Sequence, residues 1–306
     1  MFKKIKRYAK NPIYALGCDL TKYKISQLMP DKYYLSLLWR MKMGYKIDWK
    51  HPKTFSEKLQ WLKLYDHNSL YTTLVDKYRV KQWVEDKIGK QYVIPTLAVY
   101  QSADDIHLNE LPDKFVLKCN HDSGSIIICK DKSIFDFEAA KQKLNQRMNQ
   151  NFYYGTREWP YKNVKRCIIA EPYLNHSLSQ ELLDYKFFAF DGTVRSLYIA
   201  TGRDVDGGSH NFCCDFFDLD FNHLDVICNG RPHADVVPSK PNHFDEMVRI
   251  SSILSKDIPH VRCDFYETAG RVYFGEMTFY SFAGFCKFNS SEFENAMGDW
   301  IILPQK

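Results

Sequence analysis

The spacing of apolar residues along the chain predicts several amphipathic helices. Thr54 is followed three residues later by Glu57, and an apolar stripe begins between them, which is the pattern of a capping box at a helix start. A second helix is predicted over residues 76 to 88, and Gly89 ends it. The same period predicts two further helices, at residues 33 to 45 and 243 to 256.

Short runs of β-branched and aromatic residues predict strands in the last two thirds of the chain. Two of these runs, residues 184 to 190 and 194 to 200, flank Asp191-Gly192, which is typical of a hairpin turn. Residues 222 to 242 contain three prolines and are predicted to be irregular. The other predicted strands are residues 115–119, 126–129, 167–171, 212–218, 261–266 and 272–276.

The last predicted hairpin carries charged side chains. Gly270 takes the left-handed position of a three-residue loop between its strands. This register pairs Arg262 with Glu276 and puts Asp264 on the same face, whereas a slip of one residue would separate the two acids. Two carboxylates with open positions suit Mg²⁺ that carries phosphates, and an adjacent arginine stabilises a transferring phosphoryl group. The alternative is a surface hairpin with a cross-strand ion pair.

An earlier strand ends in a loop of small polar residues. Lys118 lies near the end of the strand, and Gly124 allows the loop backbone to approach a ligand closely. Backbone amides in such a loop can line phosphate oxygens, and lysine is a natural point charge for phosphate. An ordinary β-turn explains the single glycine equally well. The candidate phosphate-covering loop consists of Asn120, His121, Asp122, Ser123, Gly124 and Ser125.

The composition excludes several classes of protein. The 306 residues can form one large domain or two moderate ones. No apolar run approaches the ~18 residues that a membrane helix needs. The nine cysteines are scattered without a CxxC pair, and the ten histidines lack ligand spacing, so neither a disulfide framework nor a zinc site is predicted. We therefore expect a cytoplasmic protein.

The positive charge is concentrated at the start of the chain. Residues 1 to 50 carry twelve Lys or Arg and three Asp, whereas the rest of the chain is slightly acidic. Residues 1 to 14 resemble a basic amphipathic segment that rests on an anionic membrane, which would place the protein at the inner face of the membrane, or on an acidic polymer. A solvated tail is the alternative.

The order of these pieces is more specific than any one of them. A helix with Lys77 comes first, followed by the strand with Lys118 and its loop, and then by a strand that ends in I-A-E-P-Y. Lys186 follows on a later strand, and the hairpin with its two acids comes last. Lysines for phosphates, a linker for a purine and acids for Mg²⁺ together predict a nucleoside triphosphate site between two lobes.

Six stretches resemble the TupA-like ATP-grasp family across about residues 50 to 304. They are D-K-Y-R-V-K, F-V-L-K-C-N-H-D-S-G, R-E-W-P-Y-K-N-V, D-Y-K-F-F-A-F-D-G, V-R-C-D-F-Y and F-G-E-M-T-F-Y. The resemblance implies an α+β, ATP-grasp fold with ATP between two α+β lobes. We expect a small lobe at residues 76–170 and a large lobe at 171–306, preceded by a basic, aromatic helical region at 1–75.

The resemblance also implies a role for each candidate residue. Lys77, with Lys81 as its neighbour, matches the first ATP lysine of the family, and Lys118 matches the lysine that contacts the α- and β-phosphates. Thr278 stands where the wider superfamily usually has an asparagine ligand. The remaining matches are Glu171 and Tyr173 at adenine and ribose, Lys186 facing the phosphates, Arg262 at the transferring phosphoryl group, and Asp264 and Glu276 as magnesium ligands.

The implied reaction is ATP-dependent activation of a carboxylate. ATP phosphorylates the acid, and an amine then attacks the acyl phosphate, so ATP and Mg²⁺ are the expected cofactors. Proteins of this family accompany the synthesis of surface polysaccharides such as capsule and O-antigen. We therefore expect the partners to be a glycan, or glycan precursor, that bears a uronic-acid-type carboxylate, together with an amino acid or other amine. No nucleic acid partner is expected.

Two other functions stay open at this point. Asp204 with Asp206, and Asp218 with Asp220, form D-x-D pairs that suit a glycosyltransferase metal site, although this spacing arises often by chance. The other alternative is a non-catalytic module that binds acidic glycan or membrane through residues 1 to 50.

Overall fold

Helices occupy the first part of the described chain. The computed structural model describes residues 24–174, 181–202 and 212–305. The helices α1 (Asp31–Met43), α2 (Phe55–Tyr65), α3 (Leu70–Val75) and α4 (Val80–Ile88) come first. The predicted capping box is confirmed, because Thr54 Oγ1 accepts a hydrogen bond from Glu57 N at 3.3 Å and Glu57 Oε2 accepts one from Thr54 N at 3.2 Å. The predicted second helix begins later than expected, at Val80, because Asp76 Oδ1 accepts hydrogen bonds from the turn amides Tyr78 N and Arg79 N.

A four-stranded antiparallel sheet follows these helices. Its strands are β1 (Ala98–Tyr100), β2 (Phe115–Cys119), β3 (Ile127–Cys129) and β4 (Ile168–Pro172), in the order β1-β4-β2-β3. The helix α5 (Phe137–Met148) packs on this small sheet through the fully buried Leu144, which joins Phe115 and Leu117 in one core. The short helix α6 (Tyr153–Thr156) and a 3-10 turn at Trp159–Asn163 lie in the aromatic segment before β4.

A six-stranded antiparallel sheet forms the second half of the protein. Its spatial order is β10-β9-β5-β6-β7-β8. The helix α7 (Phe244–Leu254) packs into its core, and its Met247, Ile250 and Leu254 are fully buried. The strands are β5 (Asp184–Phe190), β6 (Thr193–Thr201), β7 (Cys213–Phe217), β8 (His223–Leu224), β9 (Val261–Thr268) and β10 (Arg271–Thr278), and α8 (Ser291–Trp300) follows.

The N-terminal helices pack against the large sheet. The ring of Phe55 in α2 lies 6.0 Å from that of Phe188 in β5 and meets it edge-on. Ser56 Oγ donates a hydrogen bond to Cys286 O at 3.0 Å. The predicted boundaries after residues 75 and 170 stay predictions. Within the described residues, no helix has both the length and the apolar character that crossing a membrane requires.

The β9–β10 hairpin corrects the predicted register. Its loop has two residues, Ala269 and Gly270, both with positive φ, instead of three. Glu276 is opposite Asp264, and Thr278 takes the position opposite Arg262 that was predicted for Glu276. The prediction was wrong because the loop alone does not set the register; a bulge further along the hairpin also shifts it.

The bulge lies at Gly275 and determines the face on which Glu276 lies. Phe265 pairs with Phe274, so an uninterrupted ladder would put Glu276 on the face opposite to Asp264. The extra residue in β10 returns Glu276 to the face of Asp264. A Cβ atom at Gly275 would lie 3.1 Å from Asp264 O, so the position leaves little room for a side chain. The shared face that was predicted therefore exists, but for a different reason.

Candidate functional site

Four polar side chains of the β9–β10 hairpin meet on one face. The Arg262 guanidinium binds Asp264 with two contacts, Nε to Oδ1 at 2.6 Å and Nη2 to Oδ2 at 2.7 Å. Arg262 Nη2 also donates to Thr278 Oγ1 at 3.0 Å and lies 3.6 Å from Glu276 Oε1. The hydroxyl of Thr278 donates to Glu276 Oε1 at 3.3 Å. These oxygen atoms form a hard donor set of the kind that fits Mg²⁺.

The neighbouring strand β5 adds a buried lysine to this group. Lys186 is opposite Asp264 in the sheet, and its ammonium contacts the carboxylate of Asp264. It also lies 2.6 Å from Asp184 Oδ2, which the sequence analysis did not single out. The only local signal was that Asp184 and Lys186 lie two residues apart and therefore share a face. We call Asp184, Lys186, Arg262, Asp264, Glu276 and Thr278 the hairpin cluster.

Burial and charge act against each other within the hairpin cluster. Burial raises the pKa of Asp264, and the opposing effects of Arg262 and Lys186 do not fully cancel it. Burial disfavours the charge of Arg262, but Asp264 outweighs it and raises the arginine pKa well above its usual value. The Glu276 side chain is 37% exposed, so this carboxylate faces the space into which a ligand can enter.

A second charged group joins α4 to the small sheet. Glu171 is buried at the end of β4, and both Lys118 Nζ and Lys81 Nζ lie 2.6 Å from its carboxylate oxygens. Burial alone would raise the pKa of Glu171, but the two lysines outweigh it and lower that pKa. Lys81, predicted as a neighbour of Lys77, also donates to Ile94 O and Thr96 Oγ1. We call Lys81, Lys118 and Glu171 the lysine–glutamate cluster; Tyr173, half-buried, follows just beyond β4.

Side chains of the candidate phosphate-covering loop anchor it, both to neighbouring segments and to one another. Asn120 is fully buried and donates through Nδ2 to Asp76 Oδ1 at 2.9 Å and to Lys165 O at 2.9 Å. Ser125 Oγ donates to Asp122 Oδ1 at 2.6 Å. His121 Nε2 lies 3.2 Å from Gln150 O. Asn120, His121, Asp122 and Ser125 are buried, and Ser123 and Gly124 are the more accessible residues.

Lys77 lies between this loop and the hairpin cluster. Its ammonium donates to the carbonyl oxygen of Asp122 and lies 3.8 Å from Glu276 Oε2. The Lys77 ammonium therefore faces both the loop that was predicted to cover phosphate and the carboxylate that was predicted to bind metal. The structure therefore brings Lys77, Asp122 and Glu276 together.

A buried lysine and a buried glutamate lie next to the site and were missed by the sequence analysis. Lys63 in α2 is almost fully buried and donates to Thr156 O at 2.9 Å and Ala283 O at 2.7 Å. Burial lowers the pKa of Lys63 to about 8, although Glu158 opposes this effect. Burial also raises the pKa of Glu158, and Glu276 adds to that increase. The one sequence signal was the aromatic, polar stretch around Glu158.

Two clefts open near these groups. The smaller has a volume of about 290 Å³, and its lining includes Asp122, Arg147, Phe152, Thr156 and Glu158. The larger, about 870 Å³, lies between α4 and the outer side of the hairpin, and its lining includes Tyr78, Lys81, Thr96 and Tyr273. The size of a cleft does not by itself identify its ligand. Asp122, which lines the smaller cleft, is also the residue that Lys77 contacts.

Of the two D-x-D pairs, the structure describes only Asp218 with Asp220. Asp218 accepts hydrogen bonds from Asn222 N at 2.8 Å and Asn222 Nδ2 at 2.9 Å, which closes the turn between β7 and β8. Asp204 and Asp206 lie outside the described residues, as do residues 1 to 14.

Comparison with known proteins gives one family match. The family model described as TupA-like ATPgrasp matches residues 57–302. No curated protein matches the chain.

Solved structures of similar fold share little sequence with this chain. The D-alanine–D-alanine ligase from Bacillus anthracis complexed with ATP is 14% identical, with a TM-score of 0.39, over 67% of this chain and 53% of that one. The N5-carboxyaminoimidazole ribonucleotide synthetase from Thermus thermophilus is 10% identical, with a TM-score of 0.39, over 68% and 45%. The ATP-grasp ligase PsnB with minimal precursor, Mg and ADP is 9% identical, with a TM-score of 0.37, over 86% and 66%. The chain thus spans about half to two thirds of their lengths.

Proposed function

The chain belongs to the TupA-like ATP-grasp family, and from this premise we propose that it is an ATP-dependent ligase that joins a carboxylate to an amine through an acyl phosphate. The family match supports an ATP-grasp ligase in general terms. The observation that carries the proposal is the hairpin cluster, where Asp264, Glu276 and Thr278 offer oxygen ligands beside Arg262 and Lys186.

The donor set of the hairpin cluster suits Mg²⁺. Asp264, Glu276 and Thr278 would hold the ion, which would supply positive charge to neutralise the phosphates of ATP. Arg262 and Lys186 supply positive charge from the large sheet where charge develops during transfer of the phosphoryl group. Phosphoryl transfer depends mainly on position and electrostatics, so no side chain needs to act as a nucleophile.

The small sheet, α4 and the turn before α4 supply further cations for the phosphates. Lys118 and Lys81 are held by Glu171, and Lys77 contacts the phosphate-covering loop. The accessible Ser123 and Gly124 form the part of the loop that can close over the phosphates. Closure would exclude water, which otherwise hydrolyses an acyl phosphate.

The smaller cleft is the proposed place for the acid and the amine. Arg147 in its lining provides a cation for the substrate carboxylate, and Lys77, which contacts Asp122 of the lining, lies 3.8 Å from Glu276. The raised pKa of Glu158 suits a group that takes a proton from the attacking amine. The acid is proposed to be a uronic-acid-type carboxylate of a surface glycan or its precursor, and the amine an amino acid or a simple amine.

Hydroxylamine trapping tests this proposal. The protein is incubated with ATP, Mg²⁺, hydroxylamine and a panel of uronic acids and amino acids, and both hydroxamate and ADP are measured. Glu276→Gln is expected to abolish both products, whereas Glu110→Gln, the same change at an exposed site, should retain them. If no acid yields hydroxamate or ADP, the ligase proposal fails. Protection of the protein from proteolysis by a sugar nucleotide and not by ATP would favour a glycosyltransferase.

A further inference from the structure

The β7–β8 edge of the large sheet carries three potential metal ligands. Asp215 in β7 is fully buried, and its Oδ1 lies 2.9 Å from His223 Nε2 and 3.2 Å from His233 Nδ1. All three ligand atoms lie within 4.8 Å of one another. Ligand atoms on a tetrahedral zinc ion at ordinary bond lengths are separated by about 3.3 Å, so the two distances from Asp215 are close to those of a metal site.

The ring of His233 is oriented as a metal ligand would be. Both of its nitrogen atoms are shielded from solvent, and neither forms a hydrogen bond with proper geometry. Nδ1 faces Asp215, and Nε2 lies 3.5 Å from Asp225 Oδ1. A histidine that binds metal through one nitrogen commonly directs the other towards a carboxylate, which is the role Asp225 can take.

The backbone on both sides of His233 forms hydrogen bonds with β7. Cys214 N donates to Pro232 O at 3.0 Å, and Ala234 N donates to Asp215 Oδ2 at 3.2 Å. The second contact also orients the Asp215 carboxylate. His233 is therefore held at the ligand position by its neighbours, although residues around it form no regular secondary structure.

This group is separate from the hairpin cluster. Lys186, Tyr198 and Phe216 are successive partners across β5, β6 and β7, and Tyr198 accepts a hydrogen bond from Arg262. These residues share the face of the hairpin cluster. Asp215 precedes Phe216 and pairs with Ile199, so it points to the opposite face of the sheet.

We propose that Asp215, His223 and His233 bind a divalent transition metal ion, with zinc as the best match. Two imidazoles and one carboxylate suit zinc, whereas magnesium prefers oxygen ligands throughout. His223 is partly exposed, so water can complete the coordination. The ion fixes the irregular segment that contains His233 to the β7–β8 edge. This inference does not depend on the proposed ligase activity.

Metal uptake by the tag-free protein tests the site. After dialysis against excess Zn²⁺ and then metal-free buffer, wild type should retain about one zinc per chain, and His223→Gln/His233→Gln should retain less than about a tenth of that. The matched control is His107→Gln, an exposed histidine far from the cluster in sequence, which should bind as wild type. No retention by wild type, or equal retention by the double variant, overturns the proposal.

Cobalt substitution distinguishes this site from adventitious binding by cysteine. Co²⁺ at two imidazoles and a carboxylate should give visible d–d bands without the near-ultraviolet charge-transfer band of thiolate ligation. Zn²⁺ should also raise the melting temperature of wild type and of His107→Gln, but not that of Asp215→Asn. A thiolate charge-transfer band in the double variant would show that the metal binds at cysteine and would contradict the assignment.

Discussion

Glu171 on the small sheet and Asp264 on the large sheet are both buried carboxylates, and each contacts two cations. Their pKa values nevertheless shift in opposite directions. Lys118 and Lys81 outweigh burial and lower the pKa of Glu171. At Asp264, burial outweighs Arg262 and Lys186, and Asp184 raises the pKa further. The lysine–glutamate cluster thus has an excess of positive charge, whereas the hairpin cluster has three carboxylates around two cations.

The difference is the one that the proposed magnesium ion and ATP would require. Excess positive charge suits phosphate, and excess carboxylate suits a metal ion. Lys77 lies between them, with contacts to the loop after β2 and to Glu276. The proposed ATP site therefore has excess positive charge around Glu171 and excess carboxylate in the hairpin cluster, and the following changes test that comparison.

Replacing Asp264 with Asn should have the largest effect on activity. The variant loses a proposed metal ligand, so hydroxamate formation should fall about 10³-fold. Its stability should change less than that of Glu171→Gln, because Asp184 and Glu276 still face Lys186 and Arg262. The measurements are hydroxamate yield and urea unfolding, with the exposed Asp104→Asn as the control. Full activity in Asp264→Asn would contradict the proposal that the hairpin cluster binds a metal ion.

Changing the bulge should move Glu276 without touching its carboxylate. A methyl group at Gly275 meets Asp264 O at 3.1 Å, so Gly275→Ala should shift β10 and reduce kcat about 10²-fold. Gly270→Ala is the matched variant: it strains a residue at φ 68° with open space around it, which costs about 1 kcal/mol of stability. It should leave kcat nearly unchanged. Equal loss in both variants would indicate general damage to the hairpin.

Replacing Glu171 with Gln tests the small-sheet half of the comparison. The change leaves Lys118 and Lys81, both mostly buried, without a carboxylate partner, so the free energy of unfolding should fall by about 3 kcal/mol at pH 7. Because the folded pKa of Glu171 is lowered, its stabilisation is present above its unfolded pKa of about 4.3 and is lost as the pH falls through the folded value.

The pH series supplies the decisive outcome for Glu171. The difference between wild type and Glu171→Gln should be constant from pH 7 to about 5 and should shrink below about 4.3. Urea unfolding at each pH measures it. A difference that instead grows in acid would mean that the lysines do not lower the pKa of Glu171.

Lys63 provides the smallest and most specific test. Its folded pKa of about 8 is below the ordinary lysine value, so the folded protein releases this proton first as the pH rises. Wild type should therefore gain stability relative to Lys63→Met as the pH rises above 8, because the unfolded chain still binds the proton. Melting temperatures of both proteins between pH 7 and 10 measure this gain. A constant difference over that range would contradict the lowered pKa.

Local sequence signals were sufficient where the structure depends on neighbouring residues. Thr54 and Glu57 form the predicted capping box, and Asp191-Gly192 forms the predicted turn with positive φ at both residues. Arg262, Asp264 and Glu276 also meet, as expected. Their register could not be predicted, because a two-residue loop and the bulge at Gly275 together replace the expected three-residue loop.

The sequence alone determined α1, α2, α4 and α7, most strands and the family, because these depend on local pattern and on the order of motifs. Tertiary structure alone decided that Lys81 and Lys118 both bind Glu171, that Lys63 is buried beside Glu158, and that Asp215 meets His223 and His233. Such contacts join residues far apart in the chain, and which of them form depends on strand register and on the faces the sheets bury. Spacing along the sequence does not contain that information.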